Sequence, residues 1–419
     1  MHDPYVGALI RTRRLERSYS QEGLCRGICA VSYLSKIEHG VVTPSDEILQ
    51  KLFAALDLTY TTDEATLSAL RADIDACFAA FWEDRDAPDA RARLQAAHDV
   101  LSCSPLHLSG LLFDALQAYM QGDIAAACAL LDRLSSQQAQ LDTDNLVRLH
   151  LLTGLCASED ASALSAFSRA ETLTPSPITA HFLALAHYLH GRYHDALRFA
   201  AQAYARAAQA GNVFFMTQAA FLEGACYSNL YEYALMQAAF DRVRALAPGN
   251  ASLLRAVDYN LGASYVAVGD AAQALPYLLR ACSEDTAPES RFFTLHKLAL
   301  TYQLLGRTEE GLQTLAQAQT VLDTNADLPA LYHDLLRLIR LRFTPGYART
   351  EEYLGLARML YRDTDTQIHH GFSLFHAPLL LEALCAHRLY KEALAVALQA
   401  RCPFPDSLQK SLLSTDKKD

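Results

Sequence analysis

A chain of 419 residues exceeds one ordinary globular core and by length alone implies two or three domains, unless repeats extend a single one. A hydrophobic content of 51% excludes wholesale disorder, and only 18 Gly and 14 Pro among abundant Ala and Leu favour helices over strands. The net charge of −11 argues against a general polyanion binder, yet residues 1–60 are neutral overall and residues 61–419 carry the whole deficit. Between Tyr5 and Lys36, six basic residues stand against Glu16 and Glu22, a local excess suited to a small DNA-contacting surface. No apolar run is long enough to span a membrane, and the first residues lack the apolar stretch of a signal peptide. A cytoplasmic location is therefore expected. Ten cysteines without any Cys-x-x-Cys pair read as small buried apolar residues, with neither metal nor disulfide expected.

In chain order, Val6, Leu9, Ile10 and Leu15 recur at helical spacing and predict a first helix flanked by arginines. Ser20 is a suitable N-cap for a short second helix through Leu24 and Cys25, which Gly27 ends. A third helix turns Leu34 and Ile37 inward and stops at His39-Gly40. Pro44-Ser45 opens a fourth, with Ile48, Leu49, Leu52 and Phe53 on its buried face. Two short helices joined by a tight turn, with two more around them, make a helix-turn-helix plan.

The string SQEGLCRGICAVSYLSKIEHG, followed by PS and a leucine-rich helix, resembles the XRE/lambda-repressor-like helix-turn-helix family over residues 5–58. The turn between helices two and three is one residue shorter than the commonest spacing in that family. The GICAVSYLSKIEHG form is also similar to the Rgg/PlcR-type peptide-responsive regulators. The resemblance implies that Gln21 bonds a DNA phosphate, while Val31, Ser32, Tyr33 and Lys36 face the major groove. It also implies that Arg14 and Glu38 form an ion pair locking helix one to helix three.

Beyond the head, Thr62 can cap a helix carrying Leu67, Leu70, Ile74, Phe78 and Phe81 on one face. Pro88 disfavours helix at the residue before it, so 85–89 reads as a hinge. The expected organisation is a DNA-binding domain at 1–60, a linker helix at 61–89, a repeat domain at 90–405 and a tail at 406–419.

The repeats announce themselves by a turn residue followed five positions later by a small one. The pairs are Gly122/Ala127, Ser158/Ala163, Gly191/Ala196, Asn229/Ala234, Gly269/Ala274, Gly306/Gly311 and Arg388/Ala393. The last interval spans two steps, with Pro345-Gly346 at the missing turn, and around Tyr227–Ala234 the register can shift by two residues. YNLGASYVAVGDAAQALPYLLRA, residues 259–281, resembles the tetratricopeptide skeleton through Leu261, Gly262, Tyr265, Gly269 and Ala274. The fold class expected is all-α: a lambda-repressor-like head, then some eight helix pairs in a right-handed tetratricopeptide-like α-solenoid.

In such repeats the first helix of each pair lines the inner wall. The resemblance places Tyr259, Asn260 and Ala263 there, with Phe293, His296, Lys297, Leu300 and Gln303 in the next unit. Glu223, Tyr227 and Asn229 occupy the unit before. A side-chain amide such as that of Asn260 can bond both N–H and C=O of an extended peptide, or it can satisfy neighbours within the array. His181, His187, His190 and His194 fall on either side of Gly191, which breaks their helix, so they read as surface residues and not as a metal site.

No His-Glu-x-x-His, phosphate loop or Gly-x-Ser-x-Gly occurs, and neither an enzyme nor a cofactor is expected. An XRE-like head joined to a tetratricopeptide-like array resembles the Rgg/PlcR/PrgX class of peptide-sensing regulators. That resemblance implies a homodimer, a palindromic operator in double-stranded DNA and a short signalling peptide as ligand. The helices after residue 320 are expected to dimerise. Two alternatives remain: a docking scaffold that inhibits another regulator, and a constitutive XRE-type repressor.

Overall fold

In the computed structural model, which describes residues 6–58, 63–157, 161–283, 287–368 and 370–400, every regular element is a helix. Thr62, Ser158, Cys402 and the tail at 406–419 lie outside the described residues.

The head is built from α1 (Val6–Glu16), α2 (Gln21–Cys25), α3 (Val31–Glu38) and α4 (Asp46–Ala55). Ser20 caps α2 by accepting the Gly23 N–H at 2.9 Å, and Gly27 takes the left-handed φ of 78° in the following turn. Leu9, Ile10, Leu34, Ile37 and Leu52 close a small core, each fully buried side chain stabilising by roughly 1.5–3 kcal/mol. Gly7 sits where α1 meets α3: a Cβ there would stand 1.9 Å from the Ile37 carbonyl oxygen. Leu15 departs from the expected face and is 56% exposed. Five residues beyond Ile10 it lies about 140° around the helix, off the buried stripe.

α5 (Glu64–Trp82) is capped by Asp63, which accepts the Thr66 N–H at 2.9 Å. Its buried face runs through Leu67, Leu70, Ile74 and Phe78, while Phe81 is half-buried. The break at 83–87 turns the chain back, and Arg93 of α6 (Pro88–Ala96) holds both Asp73 oxygens, at 2.9 and 2.5 Å.

After α7 (His98–Ser102) the chain runs as eight helix pairs among the described residues. They begin with α8 (His107–Met120) and α9 (Ile124–Ser135), α10 (Thr143–Cys156) and α11 (Ala161–Leu173), and α12 (Pro177–Leu189) and α13 (Tyr193–Ala210). Next come α14 (Val213–Asn229) and α15 (Tyr233–Leu246), then α16 (Ala251–Ala267) and α17 (Ala271–Ala281). The last are α18 (Pro288–Leu304) and α19 (Thr308–Thr324), α20 (Leu331–Leu341) and α21 (Glu351–Gln367), and α22 (His370–Ala386) and α23 (Tyr390–Ala400).

Gly122, Gly191, Gly269, Gly306 and Gly346 all take left-handed φ between 69° and 80° at the turns within pairs. Small residues let paired helices touch: a Cβ on Gly262 would meet Leu278 at 2.6 Å, and one on Gly224 would meet Phe240 at 2.6 Å. One repeat register needs correction. The left-handed turn residue after α14 is Tyr231, at φ 60°, and the buried partner five residues on is Met236. Asn229 instead ends its helix, and Ala234 is exposed.

The chain divides into two compact units, residues 1–183 and 184–419. The first holds the head, α5 and the first repeats, and the second holds a core that includes Phe292, Tyr332, Leu335 and Ile339. This boundary coincides with neither of the sequence breaks at 60 and 89. Within the first unit the head is pinned to the repeats. Arg13 donates to Ser102 Oγ at 2.6 Å, Arg133 pairs with Glu16 at 3.1 Å, and Gln140 Nε2 donates to the Glu38 carbonyl at 3.0 Å.

The cysteines are less uniform than expected, for Cys25, Cys77 and Cys226 are buried and six others only partly so. Among the described residues no His, Cys, Asp or Glu cluster could hold a metal, and no helix is long and apolar enough to cross a membrane.

Candidate functional site

Two polar regions stand out, one on the head and one in the second unit. On the head, the periodicity that buries Leu34 and Ile37 turns the opposite face of α3 outward. Val31, Ser32 and Lys36 are exposed there, with Tyr33 half-buried beside them. The orientation of this face is set from beneath by Glu38, which is 1% exposed. Its carboxylate accepts Arg14 Nε at 2.6 Å and Arg14 Nη2 at 3.0 Å, a bidentate pair in the planar geometry that suits guanidinium and carboxylate. Arg14 Nη1 also donates to the Tyr19 carbonyl at 2.7 Å. Gln21, which the sequence reading assigns to a phosphate, donates its Nε2 to Glu38 Oε2 at 2.7 Å. One N–H of its half-buried amide therefore braces the network.

In the second unit, a cavity of about 90 Å³ lies among the first helices of the repeats. Of the residues singled out by sequence, Asn229, Tyr259, Asn260 and Lys297 line it together, as does Ala263. They come from α14, α16 and α18, three successive first helices. Asn229 and Asn260 each give one amide N–H to the carbonyl four residues back in their own helix, at 3.0 and 2.8 Å. Asn229 Nδ2 also donates to the Tyr188 hydroxyl at 3.5 Å, which leaves its amide oxygen for another partner, whereas Asn260 keeps both a second N–H and its amide oxygen. Ser228 and Ser264 bond each other at 2.5 Å on the same wall.

A wider cleft of about 750 Å³ adjoins the cavity, sharing Asn229, Tyr231 and Leu374 with it, and Tyr227 lines this cleft. The other residues singled out from sequence are elsewhere. His296 is fully buried beside Phe292 and His376, outside the lining. Gln303 accepts from Arg342 Nε at 3.0 Å, and Glu223 is paired with Arg242. Phe293 and Leu300 are buried in the core.

The sequence reading missed Tyr188, Gly371, Phe372 and Phe375 in the lining. Tyr188 stands on α12, one repeat before Asn229, so its register was available. The α22 residues lay where the repeat pattern fades, and no sequence signal joins them to α18.

The histidines around Gly191 are not surface residues in general. The His187 ring stacks on Phe199 at 5.4 Å, and His190 Nδ1 donates to the Ala186 carbonyl at 2.8 Å. His181 packs edge-on to Phe182 at 5.5 Å, and only His194 is exposed. Helix faces decide this, because the apolar wall of each pair leaves few outward positions.

The profile of the helix-turn-helix family matches residues 10–62. No curated protein matches the chain. Among solved structures, the apo form of the quorum sensor NprR from B. thuringiensis is similar, with a TM-score of 0.61 at 15% identity. The match covers 81% of this chain and 98% of that one. A Rap protein solved in complex with competence and sporulation factor gives a TM-score of 0.60 at 15% identity, over 80% of this chain and 99% of that one. The chain thus carries an N-terminal helix-turn-helix domain of the XRE type, followed by helical repeats with the fold of NprR and the Rap protein.

Proposed function

We propose that the chain is a cytoplasmic DNA-binding transcriptional regulator whose repeat domain, residues 90–405, receives a short signalling peptide that alters operator binding. The observation that carries this reading is the convergence of Asn229, Tyr259, Asn260 and Lys297 on one cavity, in a chain headed by a helix-turn-helix domain. The amide oxygens of Asn229 and Asn260 and the second N–H of Asn260 suit a peptide backbone, and the flanking aromatics suit its apolar side chains. NprR is a quorum sensor, and the Rap protein was solved with a bound factor, so this fold is compatible with such a ligand.

On the DNA side, Lys36 can donate to guanine O6 and N7, Ser32 can bond either base type, and Val31 can touch a thymine methyl. Gln21 braces Glu38 with one amide N–H, and its second can donate to a DNA phosphate. One head covers too little surface for tight specific binding, so a homodimer on a palindrome is part of the proposal.

The test is sequencing of genomic DNA captured by the purified chain, with and without a peptide extract of the organism's spent medium. We expect a few palindromic sites whose capture the extract changes, and loss of that response in Asn260→Ala. Selective capture that ignores the extract would reject the peptide-controlled reading and leave constitutive binding.

A further inference from the structure

Lys297 is 2% exposed, and among the described residues its Nζ has no hydrogen-bond partner. Among the described residues no carboxylate pairs with it. What faces the amine is aromatic: the Phe375 ring centroid lies 3.0 Å from Nζ and that of Phe372 4.8 Å away. These ring faces attract a cation but supply no hydrogen-bond acceptor. Burial drives the Lys297 amine well below the usual lysine range, so the protein interior does not stabilise its charge.

The other titratable groups around it add no negative charge. His296 and His376 are both buried, and burial, then the nearby amine, pushes both below the usual histidine range. The hydroxyls of Tyr188 and Tyr259, which line the same cavity, are pushed up by burial and stay protonated. A methionine would fill this position without the cost of a buried unsatisfied amine. The amine lines a cavity, and the remaining walls carry hydrogen-bonding amides. The missing component of the site is an acid.

We infer that the cavity receives a carboxylate of the bound peptide, with Lys297 as its counter-charge and Asn229 and Asn260 bonding the adjoining amide groups. The inference rests on the peptide-receptor reading and specifies the ligand's chemistry. A volume of about 90 Å³ suits one end or one short side chain, with the rest of the peptide in the adjoining cleft. The phenyl rings flanking the amine then keep water from the ion pair.

The full chain should be incubated with three libraries of short random-sequence peptides, and the retained peptides identified by mass spectrometry. One library has free C-termini, one is C-terminally amidated, and one has free C-termini but lacks Asp and Glu. If the C-terminal carboxylate is the ligand group, amidation lowers retention about tenfold or more, and omission of Asp and Glu has no effect. If an acidic side chain is the ligand group, amidated peptides are retained and all contain Asp or Glu. Either result supports the inference, provided Lys297→Met loses the preference for carboxylate while remaining folded by thermal unfolding. Asn260→Ala should lower retention from every library without changing the ratio between them. Retention indifferent to carboxylate, or unchanged preference in Lys297→Met, would overturn the inference and leave the receptor reading standing. Retention of nothing by the unaltered chain would overturn both.

Discussion

Glu38 and Lys297 are both buried charged side chains on helices, and they could hardly be housed more differently. Glu38 holds two bonds from Arg14 and one from Gln21, while its own carbonyl accepts from Gln140. Lys297 has two phenyl rings for company and, among the described residues, no acceptor. A buried polar group that is fully satisfied rigidifies its surroundings, and one left unsatisfied costs stability unless something else supplies the partner. The first arrangement ties α1, α2 and α3 together and fixes the outward face of α3 in one orientation. The second leaves an amine that the inferred peptide carboxylate would pair.

The comparison can be broken most severely at Glu38. Glu38→Ala leaves Arg14 buried without its counter-charge, and we expect a loss of about 3–5 kcal/mol from the unit that contains the head. Denaturant unfolding followed at the head would measure it, and a loss below about 1 kcal/mol would show that water replaces the carboxylate at little cost. The mirror experiment at Lys297 has the opposite sign. Lys297→Met should leave stability unchanged or raise it by about 1–3 kcal/mol, since it removes an unsatisfied group and keeps the volume. A marked fall in melting temperature would mean that the amine has a structural partner after all.

A smaller test uses pH. His107 is buried in the first unit, and burial, then the charges of Arg133 and Arg13, pushes its pKa down to about 4. Because the folded value lies below the unfolded value of about 6.5, the neutral ring's contribution is fully present above pH 6.5. It is lost as pH falls toward 4, at about 1.4 kcal/mol per pH unit, and the loss then levels off. In His107→Leu that part of the slope should vanish from a pH series of unfolding curves. The smallest expected change in stability is at the reading face. Lys36→Ala should alter stability by less than about 0.5 kcal/mol, while DNA capture in a mobility-shift assay weakens by about 1–3 kcal/mol. Equal loss of both would mean that Lys36 supports the head and does not read bases.

Much of the fold was legible in advance. Helix stops and starts depend on neighbours in sequence: Ser20 caps its own helix, and left-handed glycines end theirs wherever the chain places them. The repeat turns at Gly122, Gly191, Gly269 and Gly306 were legible for the same reason. The slip at Tyr231 shows the limit. A tyrosine in the left-handed region carries no mark that distinguishes it from any other tyrosine, because the surrounding packing imposes the strain. The inner wall was partly legible, since repeat register places Tyr259, Asn260 and Lys297 on the same side of successive first helices, whereas Asn229 reaches the wall from the end of α14, which the register had set at a turn.

By itself, then, the sequence determined the helical class, the helix-turn-helix head, the repeat period and the identity of the first helices, because each of these is a local or periodic property. Only the tertiary structure decided which inward-facing residues share a cavity. It brought Phe372 and Phe375 of α22 onto Lys297 of α18, across three intervening helices, and it enclosed His296 in the core one residue away. It also joined Gln21 to Glu38, and the head to Gln140, a hundred residues downstream. These outcomes depend on which side chains meet after packing, and packing compares every surface in the unit at once. No spacing along the chain encodes that comparison, which is why an unpartnered lysine is invisible until its neighbours are in place.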